Sequence, residues 1–327
     1  MKNIGLSFSL FDSKLNGDIN HFIQNREDIL VTRAAAIPDA AGLTLPAENI
    51  GKVDNYGWEF ELSWNDKIND NLSYNIGANY TLAKNEVKYL AEALDTPEGL
   101  KREGRPLDSY IVYPTNGIFR DQAQVDATTV KLAGTVEGEP IYLDTNEDNQ
   151  ISSLDRIRKF TSNVPQIQYG IFGGLNYKNV NFNFLLQGQA KAEMLVFFDQ
   201  SGAKPEYVFN QRWTPENRDS YYPRAFGQGD ARSGQQNNVN DAFEGADFWL
   251  RDASFLRLKE VEIGYTLSRD VINFGDLKIF VRGFNVLTMF SDVYKLGLDP
   301  EAEGYNNFRN STYPSLKTYT LGLNFTF

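Results

Sequence analysis

The last nine residues, YTLGLNFTF, alternate without a break. Tyr319, Leu321, Leu323, Phe325 and Phe327 hold one parity, and Thr320, Gly322, Asn324 and Thr326 hold the other. Successive side chains of an extended chain point to opposite faces, so this is a strand with one apolar, aromatic-ended face and one small, polar face. The same period of two recurs about nine times in the 327 residues, and that repetition is the feature that most limits the fold. A sheet built of half-apolar strands needs either a covering layer or lipid against its apolar side.

The series opens with Ile4, Leu6, Phe8 and Leu10, and the following Asn16 and Gly17 read as a tight turn into a return strand over about 18–30. Residues 31–55 carry turn formers and read as a loop. Trp58, Phe60, Leu62 and Trp64 then alternate with Glu59, Glu61 and Ser63. After the short NDKINDN turn, Leu72, Tyr74, Ile76, Ala78, Tyr80 and Leu82 form the clearest strand. A long excursion over 85–166 precedes Ile167, Tyr169, Ile171, Leu175 and Tyr177, which reverse at Lys178 and Asn179 into Val180, Phe182, Phe184 and Leu186. A second excursion occupies about 191–248. The stretch 249–267 reads as one long strand whose parity slips near Lys259 and Glu260, as a β-bulge would make it. Leu277, Ile279 and Val281 begin another strand, and a third loop over 289–312 leads to the terminal one.

The connections between these strands alternate between short and long. That asymmetry is the pattern of bacterial outer-membrane barrels, which have short periplasmic turns and long outer loops. Composition agrees: 17 Tyr and 23 Phe accompany 26 Gly, and no apolar run approaches the 18 residues of a transmembrane helix. The net charge of −11 offers no basic patch for nucleic acid. With no cysteine there are no disulfides, thiolate metal sites or Cys nucleophiles. The N-terminus MKNIGLSFSL has no apolar leader, and nine strands would put the two termini on opposite sides of a membrane. Both observations lead to the expectation of a chain truncated at its N-terminus.

Chemistry-bearing motifs are few. The segment DTNEDNQISSLD, residues 144–155, places oxygen donors at positions one, three and five (Asp144, Asn146, Asp148), a backbone carbonyl at seven (Gln150), Ser152 at nine and a carboxylate at twelve (Asp155). Calcium takes six to eight oxygens in such a spacing, so the loop is a candidate Ca²⁺ loop; a solvated acidic turn is the alternative. Asn149 stands where such loops carry Gly, and Asp155 is shorter than the usual Glu. The segment RWTPENRDSYYPR gathers Trp213, Tyr221 and Tyr222 among Arg and Asn, a composition suited to a substrate or partner loop. His21, the single histidine, sits mid-strand and reads as structural. Glu59 with Glu61, and Glu260 with Glu262, share a parity; solvation of a lumen accounts for them better than acid–base catalysis. No phosphate loop or nucleophile elbow is present, so the chain does not read as an enzyme.

Four segments together resemble one family. FWLRDASFLRLKEVEIGYTL, RWTPENRDSYYPR, VRGFNVLTMFSDVYKLGLDPE and YPSLKTYTLGLNFTF are similar to the C-terminal half of the SusC/RagA family of TonB-dependent outer-membrane transporters. The Asp-rich segment also resembles a loop of that family. The resemblance implies an all-β, antiparallel transmembrane barrel of about 22 strands, of which residues 1–327 supply the last nine or ten, with the plug domain and signal peptide lying outside. It further implies import of glycans or peptides across the bacterial outer membrane, a SusD-like lipoprotein lid, and energy supplied by TonB through the missing N-terminal region. A complete small barrel acting as an adhesin or structural protein, and a soluble calcium-binding β-sandwich, are the alternatives.

Overall fold

The computed structural model describes residues 1–32, 46–93, 95–196, 206–225, 244–301 and 313–327. The alternating stretches become nine strands: β1 (Lys2–Leu10), β2 (Leu15–Val31), β3 (Glu48–Asn69), β4 (Leu72–Tyr89), β5 (Ile167–Tyr177), β6 (Val180–Ala190), β7 (Phe255–Leu267), β8 (Asp276–Met289) and β9 (Thr318–Thr326). They form one antiparallel sheet in chain order. Each inner strand pairs with its two sequence neighbours, while β1 and β9 form the edges with one neighbour apiece. Among the described residues, no helix is long and apolar enough to cross a membrane.

Register carries the sequence alternation across the sheet. One transverse row runs Leu10, Leu15, Trp64, Ile76, Gly173, Phe184, Val261, Gly283, Tyr319, apolar except where glycine intervenes. On the opposite face a row runs Ser7, Asp18, Glu61, Asn79, Gly170, Gln187, Arg257, Thr288. Among the described residues the apolar face has no second layer: Leu321 is 73% exposed and Ile4 76%. Tight reversals at residues 11–14, 70–71, 178–179 and 268–275 gather at the end of the sheet where β9 finishes, and the long excursions leave from the other end.

Several boundaries differ from the sequence expectation, each for a physical reason. The first reversal is at residues 11–14, where Phe11, Asp12 and Ser13 all have positive φ; Asn16 and Gly17 lie inside β2. Gly17 is required there by packing rather than by a turn, because a Cβ on it would sit 2.3 Å from the Phe8 ring laid across it. Asn16 still serves the reversal, its amide donating to Ser13 O at 2.9 Å. β3 begins at Glu48, inside the stretch read as loop, and β4 continues to Tyr89. These extensions are polar on the outward side as well, so apolar alternation does not mark them; Asn25 donating to Asp54 (2.6 Å) and Lys88 paired with Glu86 (2.6 Å) lie there instead. Residues 249–254 do not belong to β7: Leu250–Asp252 is a separate short strand bonded to Glu193–Leu195. The bulge lies where the parity slips, since Leu185 faces Glu260 and Leu186 faces Leu258, leaving Lys259 as the extra residue.

The buried apolar core lies off the sheet, where the two long excursions fold on each other. Ile111–Tyr113 of the first pairs in parallel with Glu244–Ala246 of the second, and Val112, Tyr142, Leu195, Tyr222 and Trp249 form a common cluster. This loop platform stands at the excursion end of the wall.

Gly322 on β9 lies under the Phe280 ring of β8, with a Cβ there only 2.2 Å from Cζ. Gly322→Val is expected to cost about 1–3 kcal/mol in urea unfolding of the chain folded in lipid vesicles. Adding Phe280→Ala should recover most of that loss; a purely additive double variant would show that the ring does not impose the glycine.

Candidate functional site

The polar face is divided by charge. On β2 and β3, Asp18, Glu59 and Glu61 join Asn20, Asn79 and Thr81 around a depression of about 370 Å³. Asp18 accepts a hydrogen bond from the Ser7 hydroxyl, and among the described residues no Lys or Arg pairs with the three carboxylates. Alongside, Asn79, Gln168, Gln187 and Gln189 line a second depression of about 300 Å³. Carboxylates accept and amides both donate and accept, so this surface suits a hydroxyl- or amide-bearing solute. Across the sheet, Glu262 is neutralised by Lys278 (2.7 Å) and Arg282 (2.7 Å), and Glu260 lies 3.3 Å from Arg282. Those two glutamates are charge-paired wall residues.

Beyond them lies the most buried ionic group of the wall. Arg257, 2% exposed, donates from Nε to Thr288 Oγ1 (2.9 Å) and from Nη2 to Asp299 Oδ1 (2.6 Å), and its Nη1 pairs with Glu301. Glu301 also meets Lys259 (3.2 Å) and accepts from Gln187 (2.9 Å). Asp299 Oδ2 accepts the Ser315 amide at 2.7 Å. Burial pushes the Asp299 carboxyl up, but hydrogen bonds from Ser315 and Arg257 and from the Glu301 amide outweigh it and hold the group at about 2. Sequence reasoning did not single out this cluster. Arg257 carried the available signal, a cation on the polar parity of a strand, but its acidic partners lie 42 and 44 residues on.

The aromatic loop is split between core and surface. Trp213 (3% exposed) donates its indole N–H to Arg120 O at 3.2 Å, and Tyr222 (4%) packs against Trp249. Only Tyr221 is presented outward, with the Arg251 guanidinium 4.7 Å from its ring centre. In the platform core, burial pushes the Tyr110 hydroxyl up to about 12 and raises Tyr142 as well, so neither phenol ionises near neutrality. His21 lies on the apolar face, its ring 4.4 Å from Trp58 and its Nδ1 2.8 Å from Gly57 O.

The Asp-rich loop folds around its own backbone. Asp144 accepts from the Asp148 (3.2 Å) and Asn149 (2.8 Å) amides, Asn146 accepts from Asp148, and Asp148 accepts from Gln150 at 2.8 Å. Asn149 has φ 65°, the left-handed conformation that Asn tolerates in place of Gly. Ser152 caps the short turn Ser153–Asp155. Asp155 is fully buried and spends both oxygens on the Thr145 (2.9 Å) and Ser152 (2.7 Å) amides. Among the described residues, no three His, Cys, Asp or Glu side chains converge as a metal cluster. Both Asp144 oxygens, Asn146 Oδ1 and Asp148 Oδ1 thus accept backbone amides, and the position-twelve carboxylate is likewise turned to the backbone.

No family model matches the chain. It is 28% identical over 356 residues to TonB-dependent receptor P26 of Formosa agariphila, covering 99% of this chain and 34% of that protein. It is 24% identical to TonB-dependent receptor SusC of Bacteroides thetaiotaomicron, covering 99% of this chain and 31% of that one. Among solved structures, the RagAB peptide transporter superposes with a TM-score of 0.71 at 20% identity, over 99% of this chain and 35% of that one. The chain thus spans about a third of the length of these relatives. Its likeness to SusC/RagA-type TonB-dependent receptors extends over essentially every residue, and its fold is that of part of such a barrel.

Because the Asp299 carboxyl is depressed from 3.8 to about 2, the stability it contributes is present above its ordinary value and is lost as pH falls through 2. Protection of the Ser315 amide, read by hydrogen exchange, should hold from pH 7 to about pH 4 and fall towards pH 2. In Asp299→Asn that pH dependence should vanish.

Proposed function

We propose that the chain is the C-terminal part of the barrel of a SusC/RagA-type TonB-dependent importer in the bacterial outer membrane. Residues 1–327 would supply wall strands and outer loops, and the plug domain and TonB-binding segment would lie in the remainder of a longer protein. One observation carries this reading: a nine-stranded sheet in chain order presents, below its polar strand extensions, an apolar face uncovered among the described residues, with polar residues opposite and long loops at one end. Lipid covers the apolar face, and the polar face lines the lumen. The solute is a glycan or a peptide, which the amide and carboxylate groups of β2–β6 would meet along the wall. A SusD-like lipoprotein closes over the loop platform, and Tyr221 is the residue of the aromatic loop placed to touch lid or solute.

The loop at 144–155 is assigned a structural Ca²⁺. Asp144, Asn146 and Asp148 would supply side-chain oxygens, Gln150 its carbonyl and Ser152 its hydroxyl. Asp155 would have to exchange a backbone amide for the ion.

Sidedness tests the main reading. A protease site inserted after Asp148 should be cut on intact cells, and one inserted between Lys178 and Asn179 should be cut only after the outer membrane is opened. Cleavage of both sites in a detergent-free soluble monomer would favour a soluble protein. For the cation, calcium should slow cleavage beside Arg156 by trypsin in the wild type, and Asp144→Asn with Asp148→Asn should abolish that protection. Equal rates with calcium and with chelator would remove the metal.

A further inference from the structure

The loop leaving β8 does not go directly to β9. It turns back over the polar face, passes β7 and reaches β6, where Gln187 donates to Glu301 at 2.9 Å and Gln189 donates to Pro300 O at 3.4 Å. The wall residues that receive it lie on a single transverse row, since Gln187 faces Arg257 and Arg257 faces Thr288. Asp299 and Pro300 are buried against that row. Two cations, Arg257 and Lys259, face two carboxylates, Asp299 and Glu301, so the group is neutral and needs no outside partner. On β2–β4 the same row, Asp18, Glu61 and Asn79, has no such segment attached among the described residues.

We propose that residues 298–301 form a fixed strap across the polar face of β6–β8, with Arg257 as its positioning residue, and that the strap narrows the passage beside this wall. The constriction rests on the reading of the polar face as lumen; the strap and its anchor do not. Burial makes the attachment resistant to salt, because solvent ions screen only exposed charges. Breaking one partner of a buried pair leaves an uncompensated charge, so loss of Arg257 releases the strap. Solutes are then steered along the open β2–β5 side, where carboxylates and amides are exposed to them.

Residues 1–327 contain no cysteine, so once any cysteine in the remainder of the protein is replaced by serine, a single introduced thiol reports alone. In native membranes, Pro300→Cys should react slowly with a small maleimide. In the presence of Arg257→Gln, or of Asp299→Asn with Glu301→Gln, it should react roughly a hundredfold faster. The second pair alters no wall residue, so it decides the matter if Arg257→Gln fails to fold. Arg257→Lys, which keeps the charge but loses the fork, should fall between. Leu185→Cys, on β6 below the strap, should exclude a polymer-linked maleimide until the strap is released, while Asn79→Cys on the open side should label equally in both backgrounds. Unchanged labelling of Pro300→Cys in both release variants overturns the anchor. Release without a changed size limit at Leu185→Cys overturns the constriction and leaves the importer reading standing, since that reading fails separately on the sidedness of inserted protease sites.

Discussion

The inter-strand ladder is the interaction on which the rest of this molecule depends. In hydrocarbon no water is available to a free N–H or C=O, so a spanning backbone must satisfy itself through its neighbours. Chain-order antiparallel pairing does this at the lowest entropic cost, because two-residue reversals such as Asp70 with Asn71 and Lys178 with Asn179 close the smallest loops. The same requirement makes β1 and β9 meaningful. Each has one paired side, so a row of backbone donors and acceptors lies along either edge of the sheet.

Wall and platform are stabilised by different means. The wall buries little among its own side chains: Leu321, Leu323 and Tyr319 are mostly exposed on it. Its specificity lies in register and in rings laid over glycines, as at Phe8 on Gly17 and Phe280 on Gly322. The platform has an ordinary core, with Val112 and Ala246 excluded from solvent and Tyr222 set against Trp249. Parallel pairing between Ile111–Tyr113 and Glu244–Ala246 joins two loops that are far apart in sequence, so neither excursion is an independent flap.

This division explains what could be read from the chain alone. Strands such as β4 and β9 were legible because a sheet with one apolar and one polar face imposes a local period of two, and Lys259 betrayed the bulge by breaking it. Nothing local distinguishes a glycine needed under a ring from one needed in a turn, which is why Gly17 misleads. Trp213 and Tyr222 look like a binding surface beside Arg and Asn, yet their burial depends on partners 93 and 27 residues away, Arg120 and Trp249. The Arg257 cluster was hidden for the same reason: its parity was visible, but its counter-ions were not.

Charge independently assigns the two faces. Asp18, Glu59, Glu61, Glu260 and Glu262 all lie on one side of the sheet, and an ionised side chain in the hydrocarbon costs on the order of a few kcal/mol. Five such groups cannot face lipid, whereas Leu6, Phe60, Ile76, Ile263 and Leu323 on the other side can face nothing better. The pairing of Glu260 and Glu262 with Arg282 and Lys278, set against Asp18, Glu59 and Glu61, which meet no Lys or Arg among the described residues, then makes the polar face asymmetric. One half is neutralised and crossed by residues 298–301; the other is acidic and uncrossed among the described residues. The acidic half beside a neutralised one gives the face a lateral gradient of potential, which salt flattens on the exposed side while the buried Arg257 pairs are screened much less.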